Sequence, residues 1–452
     1  MRILFIPNDL NGGTDNLSRC RALAQFATKS GHDCTIVIHQ KQHRMVISED
    51  IKHSYISPFN PVQRMVQPSF PPSNHRSFFV TISNRNYQIV KDNLIHPKSI
   101  HKMLGQYADI VHKFRPHIII NDGNLIGTIT AKRFRLPLVQ IAHASYYPVR
   151  PQIIWWEPIP LELRAPDIRH LFNPILESLK LHPIESAEEL LEGNMGLIPS
   201  IPGLAPADLS SDTYYVGPLL PIHNSSTDLD WRRVGDQKHI YVSMGHNRPP
   251  FEVQPFLDTL VATYGNQEVS VLVKVPDYVN IKRLKVTAPN IIFRKGISDR
   301  VAIHASDIVV FHGNYTPMME TVLAGKPSIV IPFHSEQESN GRYLQRAGIG
   351  RICKLSTGQE ELVIKHWKYG AYSYFIHRNY NLTVDRLRDL TNDLLTDDSY
   401  YQNCYRLQQE CYQLEGAKTA FKVISKELGA NYNVKSRRKT TPKQEPETDN
   451  QA

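Results

Sequence analysis

The chain has 452 residues, of which 41% are hydrophobic and 21% charged, with a formal net charge of +9. That length is about twice what one core organises, the composition excludes a fibrous or disordered chain, and no apolar run approaches the roughly 20 residues of a membrane-spanning helix. The basic residues are spread along the chain rather than clustered with stacking aromatics, so the charge excludes a nucleic-acid binder and suits an anionic small molecule or an acidic lipid surface.

Ile3 to Ile6 reads as a buried first strand that runs into a Gly-rich turn with no cleavage site, unlike a signal peptide. A helix follows from about Leu17 to Ser30, stopped by Gly31, then a strand from Cys34 to Ile38, which makes a βαβ unit. Helix 99–113, strand Ile118 to Ile120, a helix from about Leu125 and strand Leu138 to Ile141 continue a doubly wound, parallel-sheet N-terminal domain. Residues 41–98 and 147–184 break the rhythm and read as added loops and short helices, either an acceptor pocket or a surface elaboration.

A second α/β rhythm starts at Ile240: helix 252–264, strands Val269 to Lys274 and Ile291 to Phe293, helix 299–305, strand Ile308 to Phe311, helix 316–324 and strand Ser328 to Ile331. The Pro- and Ser-bearing stretch before it is a linker, so the expected units are 1–225, 226–398, a closing helical segment 399–430 and a disordered polar tail 431–452. The basic-aromatic segment 366–380 lacks helical spacing and reads as a packed insert rather than a membrane-surface helix. Five scattered cysteines without metal or CxxC spacing fit a reducing, cytoplasmic setting; Cys404 and Cys411 lie on one helical face.

The most informative segment is Val310 to Gly350, where a buried strand enters the turn His312-Gly313-Asn314 and then a helix near Thr316. Unsatisfied N–H groups and the positive end of the helix dipole make this an anion site suited to a diphosphate, which Gly313 lets approach. His312 adds a donor to a phosphate oxygen, and Glu320, one turn inside the helix, suits paired ribose hydroxyls.

In this segment the chain resembles the nucleotide-sugar glycosyltransferases that include the macrolide and flavonoid enzymes. Their signature, HGGxxTxxEALxxGxPxxxxPxxxDQxxNAxxxxxxGxG, is matched by His312, Gly313, Glu320, Gly325, Pro327, Pro332, Gln337, Asn340, Gly348 and Gly350, while its Thr position falls on Pro317, one place after Thr316. The likeness extends to residues 115–143, 196–206, 214–221, 241–246 and 414–424. It implies the GT-B fold, two Rossmann-like domains facing a cleft with a C-terminal helix, and inverting transfer from a UDP- or dTDP-sugar to a hydroxyl of a small-molecule, lipid or glycan acceptor. It also implies that no cofactor or bound metal is used, because the helix dipole and hydrogen-bond donors neutralise the leaving diphosphate. By the same resemblance, His312 and the turn Gly313, Asn314 to Thr316 bind diphosphate, Glu320 binds ribose, and Glu336 and Gln337 bind sugar hydroxyls. Gly296, Ile297 and Ser298 then meet the base, while Ser243 and Gly245 line the phosphate side.

The first loop departs from the pattern. Where the family has GHxxR, this chain has Asn16 in register with Arg19, and an amide cannot take the acceptor proton. Asp122, standing where the family often has an orienting aspartate, and Asp15 are the candidate bases; Asp15 also suits a helix N-cap. Asn314 replaces a glycine and tolerates left-handed backbone, so the turn is expected to survive, and Glu336 replaces Asp with a longer reach. His143, His246 and Arg248 end strands that face the cleft. The missing histidine leaves room for a catalytically silent sugar-nucleotide-binding or partner-binding homologue, and, less, for a sugar-nucleotide epimerase. A peripheral membrane contact fits a lipid acceptor.

Overall fold

The computed structural model describes residues 1–8, 15–39, 46, 51–56, 79–80, 83–147, 161–222, 229, 231, 237–245, 250–284, 288–353, 360–377 and 382–437. The first sheet holds β1 (Arg2–Pro7), β2 (Asp33–His39) and β3 (Lys52–Ile56), then, past the short β4 (Phe79–Val80), β5 (Ile118–Asp122), β6 (Leu138–Ile141), β7 (Met195–Ile198) and β8 (Thr213–Tyr215). These seven strands run parallel in the order β3-β2-β1-β5-β6-β7-β8. Alternation along β1 divides the core: Ile3 and Phe5 pack under the helix Asp15–Lys29, and Leu4 and Ile6 under the helices Pro97–Phe114 and Leu125–Arg133.

The second sheet has β9 (Lys238–Ser243), β10 (Val269–Lys274), β11 (Ile291–Arg294), β12 (Ile308–Phe311), β13 (Ser328–Val330) and β14 (Gly350–Ile352), all parallel, in the order β11-β10-β9-β12-β13-β14. Ile240, Val242 and Val310 pack on one face with Leu387 and Leu394, while Tyr241, Val309 and Phe311 pack on the other with Met318, Met319, Cys404 and Leu407. The latter cluster also takes Ala144, Ile198 and Leu204 from the first domain, so the two halves share apolar contact beside the cleft.

Four expectations change or gain detail. Within 41–98, Lys52–Ile56 is a regular parallel strand at the edge of the first sheet rather than an irregular loop. The segment 366–380 belongs to a hairpin, β15 (Glu360–Trp367) and β16 (Gly370–His377), whose third strand is β4 of the first half; residues 378–380 lie outside the described residues. Its apolar period is two, with Tyr372, Tyr374 and Ile376 alternating toward Tyr87, so the packed insert is a strand pair and lacks helical spacing. The closing segment is two helices, Ser399–Gln413 and Ala417–Arg437, parted by Gly416 at φ 57, where a Cβ would strike the Pro218 carbonyl. The second returns to the first domain, with Phe421 stacked at 5.6 Å on Phe26, and it extends into the expected disordered tail as far as Arg437. The rest of the tail and the linker residues 223–228 lie outside the described residues. Among the described residues no helix is long and apolar enough to cross a membrane.

Candidate active site

Each sheet reverses its strand order once, between β1 and β5 and between β9 and β12, and ligands of open α/β sheets sit beyond the carboxyl ends of strands at such points. The two reversal points meet across one cleft, since Asp15 at the start of the first helix reaches Thr316 at the start of the helix Tyr315–Leu323.

On the second-domain side, β12 ends in the expected tight turn. Gly313 has φ 95, and a Cβ there would lie 2.6 Å from the Gln337 carbonyl oxygen. Asn340 Nδ2 donates to the Gly313 carbonyl at 2.8 Å. Asn314 sits at the N-cap with φ −66 and ψ 154, so the left-handed backbone falls on Gly313 alone and Asn314 has no need of its tolerance for it. Its side chain instead accepts from Gln337 Nε2 at 2.9 Å, and Gln337 Oε1 accepts from the Phe333 amide at 2.7 Å. His312 stacks on Phe333 at 6.3 Å, and Gly245, at φ 75, leaves room for its ring, which a Cβ would approach to 2.9 Å.

Glu320 is buried in the same helix, 4.0 Å from Arg300 Nε, and burial pushes its carboxyl up to about 7 against the pull of Arg300. Beside it, Asp299 accepts from Tyr241 Oη at 2.5 Å, Ser243 Oγ at 3.2 Å and Lys274 Nζ at 2.6 Å. Sequence reasoning named Ser243 and missed Asp299, Lys274 and Tyr241; Lys274, the last residue of β10, carried the signal of a strand end facing the cleft. Gly296, at φ 64, has open space where a Cβ would be; Ile297 packs half-buried on the core, and Ser298 is the N-cap of the helix Asp299–Ala305.

On the first-domain side, Asp122 is buried and doubly bound by Arg19, Nε to Oδ2 at 2.7 Å and Nη2 to Oδ1 at 2.8 Å. Asn16, at the position of the family's histidine, donates to Asp122 Oδ1 at 2.8 Å and to its carbonyl at 3.0 Å. Burial raises the Asp122 carboxyl, and the Arg19 pair opposes the rise. Arg19 also lies 4.6 Å over the Tyr315 ring, tying the pair to the other domain.

Asp15 accepts from Thr316 Oγ1 at 2.7 Å and from the amides of Thr316 and Tyr315 at 3.3 Å each. Glu336 is held by Lys91 at 2.8 Å and faces Arg85 at 3.8 Å; burial opposes its charge, and Lys91, His334 and Arg85 hold the carboxyl well below the usual range. His143 caps a short turn by accepting from the Ser145 amide at 3.2 Å, and burial with the nearby Arg19 lowers it to about 4. Asp92, also missed, is buried, accepts from Asn8 Nδ2 at 3.1 Å and is raised by burial. His246 and Arg248 lie outside the described residues.

Residues 289–368 match the glycosyltransferase family 28 C-terminal domain. An uncharacterized glycosyltransferase of Methanosarcina acetivorans is 22% identical over 339 residues, covering 71% of this chain and 75% of the relative. A PGL/p-HBAD biosynthesis rhamnosyltransferase of Mycobacterium bovis is 21% identical over 364 residues, covering 75% and 78%. Among solved structures, spinosyn rhamnosyltransferase SpnG complexed with thymidine diphosphate superposes with a TM-score of 0.65 at 17% identity, over 94% of this chain and 100% of that one. The architecture is GT-B.

Proposed function

We propose that this chain, a GT-B protein carrying a glycosyltransferase family 28 C-terminal domain, moves a sugar from a UDP- or dTDP-sugar to a hydroxyl of a small-molecule, lipid or glycan acceptor, with inversion at the anomeric carbon and without a bound metal. The observation that carries this reading is the turn at Gly313. It aims the amides of Tyr315 and Thr316 out of the second domain toward Asp15, with Glu320 one turn behind.

In this reading the leaving diphosphate rests on the helix N-terminus, where aligned N–H dipoles take the charge that develops as the anomeric C–O bond breaks. On the same reading Glu320 accepts from the ribose and Glu336 and Gln337 bind sugar hydroxyls, as the resemblance implies. The acceptor oxygen attacks the opposite face of the anomeric carbon, and its proton passes to a carboxylate. Asp15 serves this role better than Asp122, because Arg19 and Asn16 already engage both Asp122 oxygens in a buried setting. Five buried thiols suit a reducing, cytoplasmic compartment.

A second reading, a silent donor-binding homologue, is favoured by the same engagement of Asp122 together with that of Asp15 by Thr316. Nucleoside diphosphate release from a panel of UDP- and dTDP-sugars, with and without pooled acceptors, separates the two. Transfer requires acceptor-dependent release that falls at least a hundredfold in Asp15→Asn. Donor binding without release for every acceptor establishes the silent reading.

A further inference from the structure

Asp15 stands where its carboxylate and a donor phosphate would compete. Its oxygens take the Tyr315 and Thr316 amides and the Thr316 hydroxyl, from residues 300 and 301 positions away and in the other domain. These are the outward groups at the N-terminus of a nine-residue helix. A carboxylate there meets the same partial positive charge that a phosphate oxygen would, and both anions cannot use the same two N–H groups. Behind the helix end, Gly313 is packed on Gln337, and Arg19 is bound by Asp122 while it covers the Tyr315 ring.

We propose that Asp15 is an internal stand-in for the donor's diphosphate. Donor binding displaces its carboxylate from Tyr315 and Thr316 and turns it toward the acceptor side, so the group is released for proton transfer only when a donor is in place. This rests on the donor reading given above and adds a coupling to it. The Asp15 bonds to Tyr315 and Thr316 also join the domains, so the diphosphate exchanges one bridge for another.

The test is equilibrium binding of UDP, dTDP, uridine and thymidine to the full chain and to Asp15→Ala and Asp15→Asn. Removing the competitor makes the diphosphates bind about tenfold tighter in Asp15→Ala and leaves the nucleosides unchanged, with Asp15→Asn between the two. Unchanged or weaker diphosphate binding in Asp15→Ala, or an equal gain for the nucleosides, overturns the proposal while leaving the donor reading intact. Failure of all four ligands to bind the wild-type chain removes the donor reading itself. A crystal structure of the wild-type chain with dTDP gives an answer that does not depend on the variants: Asp15 has left Thr316, or, if it still bonds Thr316 with the diphosphate bound, the proposal fails.

Discussion

The two sides of the cleft, the turn at Gly313 and the carboxylates that face it, are assembled at different distances along the chain. Around Gly313, hydrogen bonds close within a short stretch: Gln337 to Asn314 spans 23 residues and Asn340 to Gly313 spans 27. Across the cleft, Arg19 reaches Asp122 over 103 residues, Lys91 reaches Glu336 over 245 and Asp15 reaches Thr316 over 301. The turn at Gly313 is therefore a local unit that one sequence window encodes. The facing side is built from long-range contacts, Arg19 to Asp122 inside the first domain and Asp15 and Lys91 into the second, and there carboxylates that look like equivalent bases are engaged differently.

The sharpest way to break this comparison is Arg19→Ala. If Asp122 is an anchor, losing its partner strands a buried charge and costs about 3–5 kcal/mol in urea unfolding. A variant that keeps its stability and loses only turnover would return Asp122 to catalysis.

Glu320 comes next. Its carboxyl holds its proton up to about 7 in the folded chain against 4.5 ordinarily, so between those pH values the folded state binds more protons than the unfolded one, and stability falls as pH rises. Glu320→Gln is free of this loss. Its advantage in thermal melts grows from pH 4.5 to 7, reaches up to about 3 kcal/mol and stays level above. An equal difference at pH 4 and 8 would mean that Glu320 is not held up by burial.

Gly313→Ala forces a side chain into φ 95 against the Gln337 carbonyl, at a cost of about 2 kcal/mol, and donor binding falls with it because the turn moves. The smallest effect is that of Lys91→Ala. The partly exposed pair with Glu336 contributes about 1 kcal/mol or less, so stability barely changes, whereas relative KM values among donor sugars shift if the first domain sets the Glu336 side chain.

The sequence carried the two parallel sheets because Ile- and Val-rich strands such as IVVF and the start of IIIND leave little choice of partner or environment. It carried the turn from His312 to Thr316 for the same reason that a local unit folds locally. It did not carry the hairpin β15–β16, whose period of two lies among charged and aromatic residues and whose third strand comes from the first half. Nor could spacing reveal that Asn16 and Arg19 occupy Asp122, or that Glu336 faces Lys91 and Arg85, since those pairings follow from tertiary contact alone. Asp299 was hidden differently: an aspartate opening a helix after Ser298 looks like an ordinary first-turn residue until Lys274 and Tyr241 are seen converging on it.

The most direct measurement is calorimetric titration of UDP and dTDP into the wild-type chain beside Glu320→Ala and His312→Ala. A donor site at the Gly313 turn predicts saturable binding of at least one of the two nucleotides, weakened tenfold or more in both variants. Wild-type binding that survives both substitutions unchanged would put the nucleotide elsewhere and contradict the assignment of this turn.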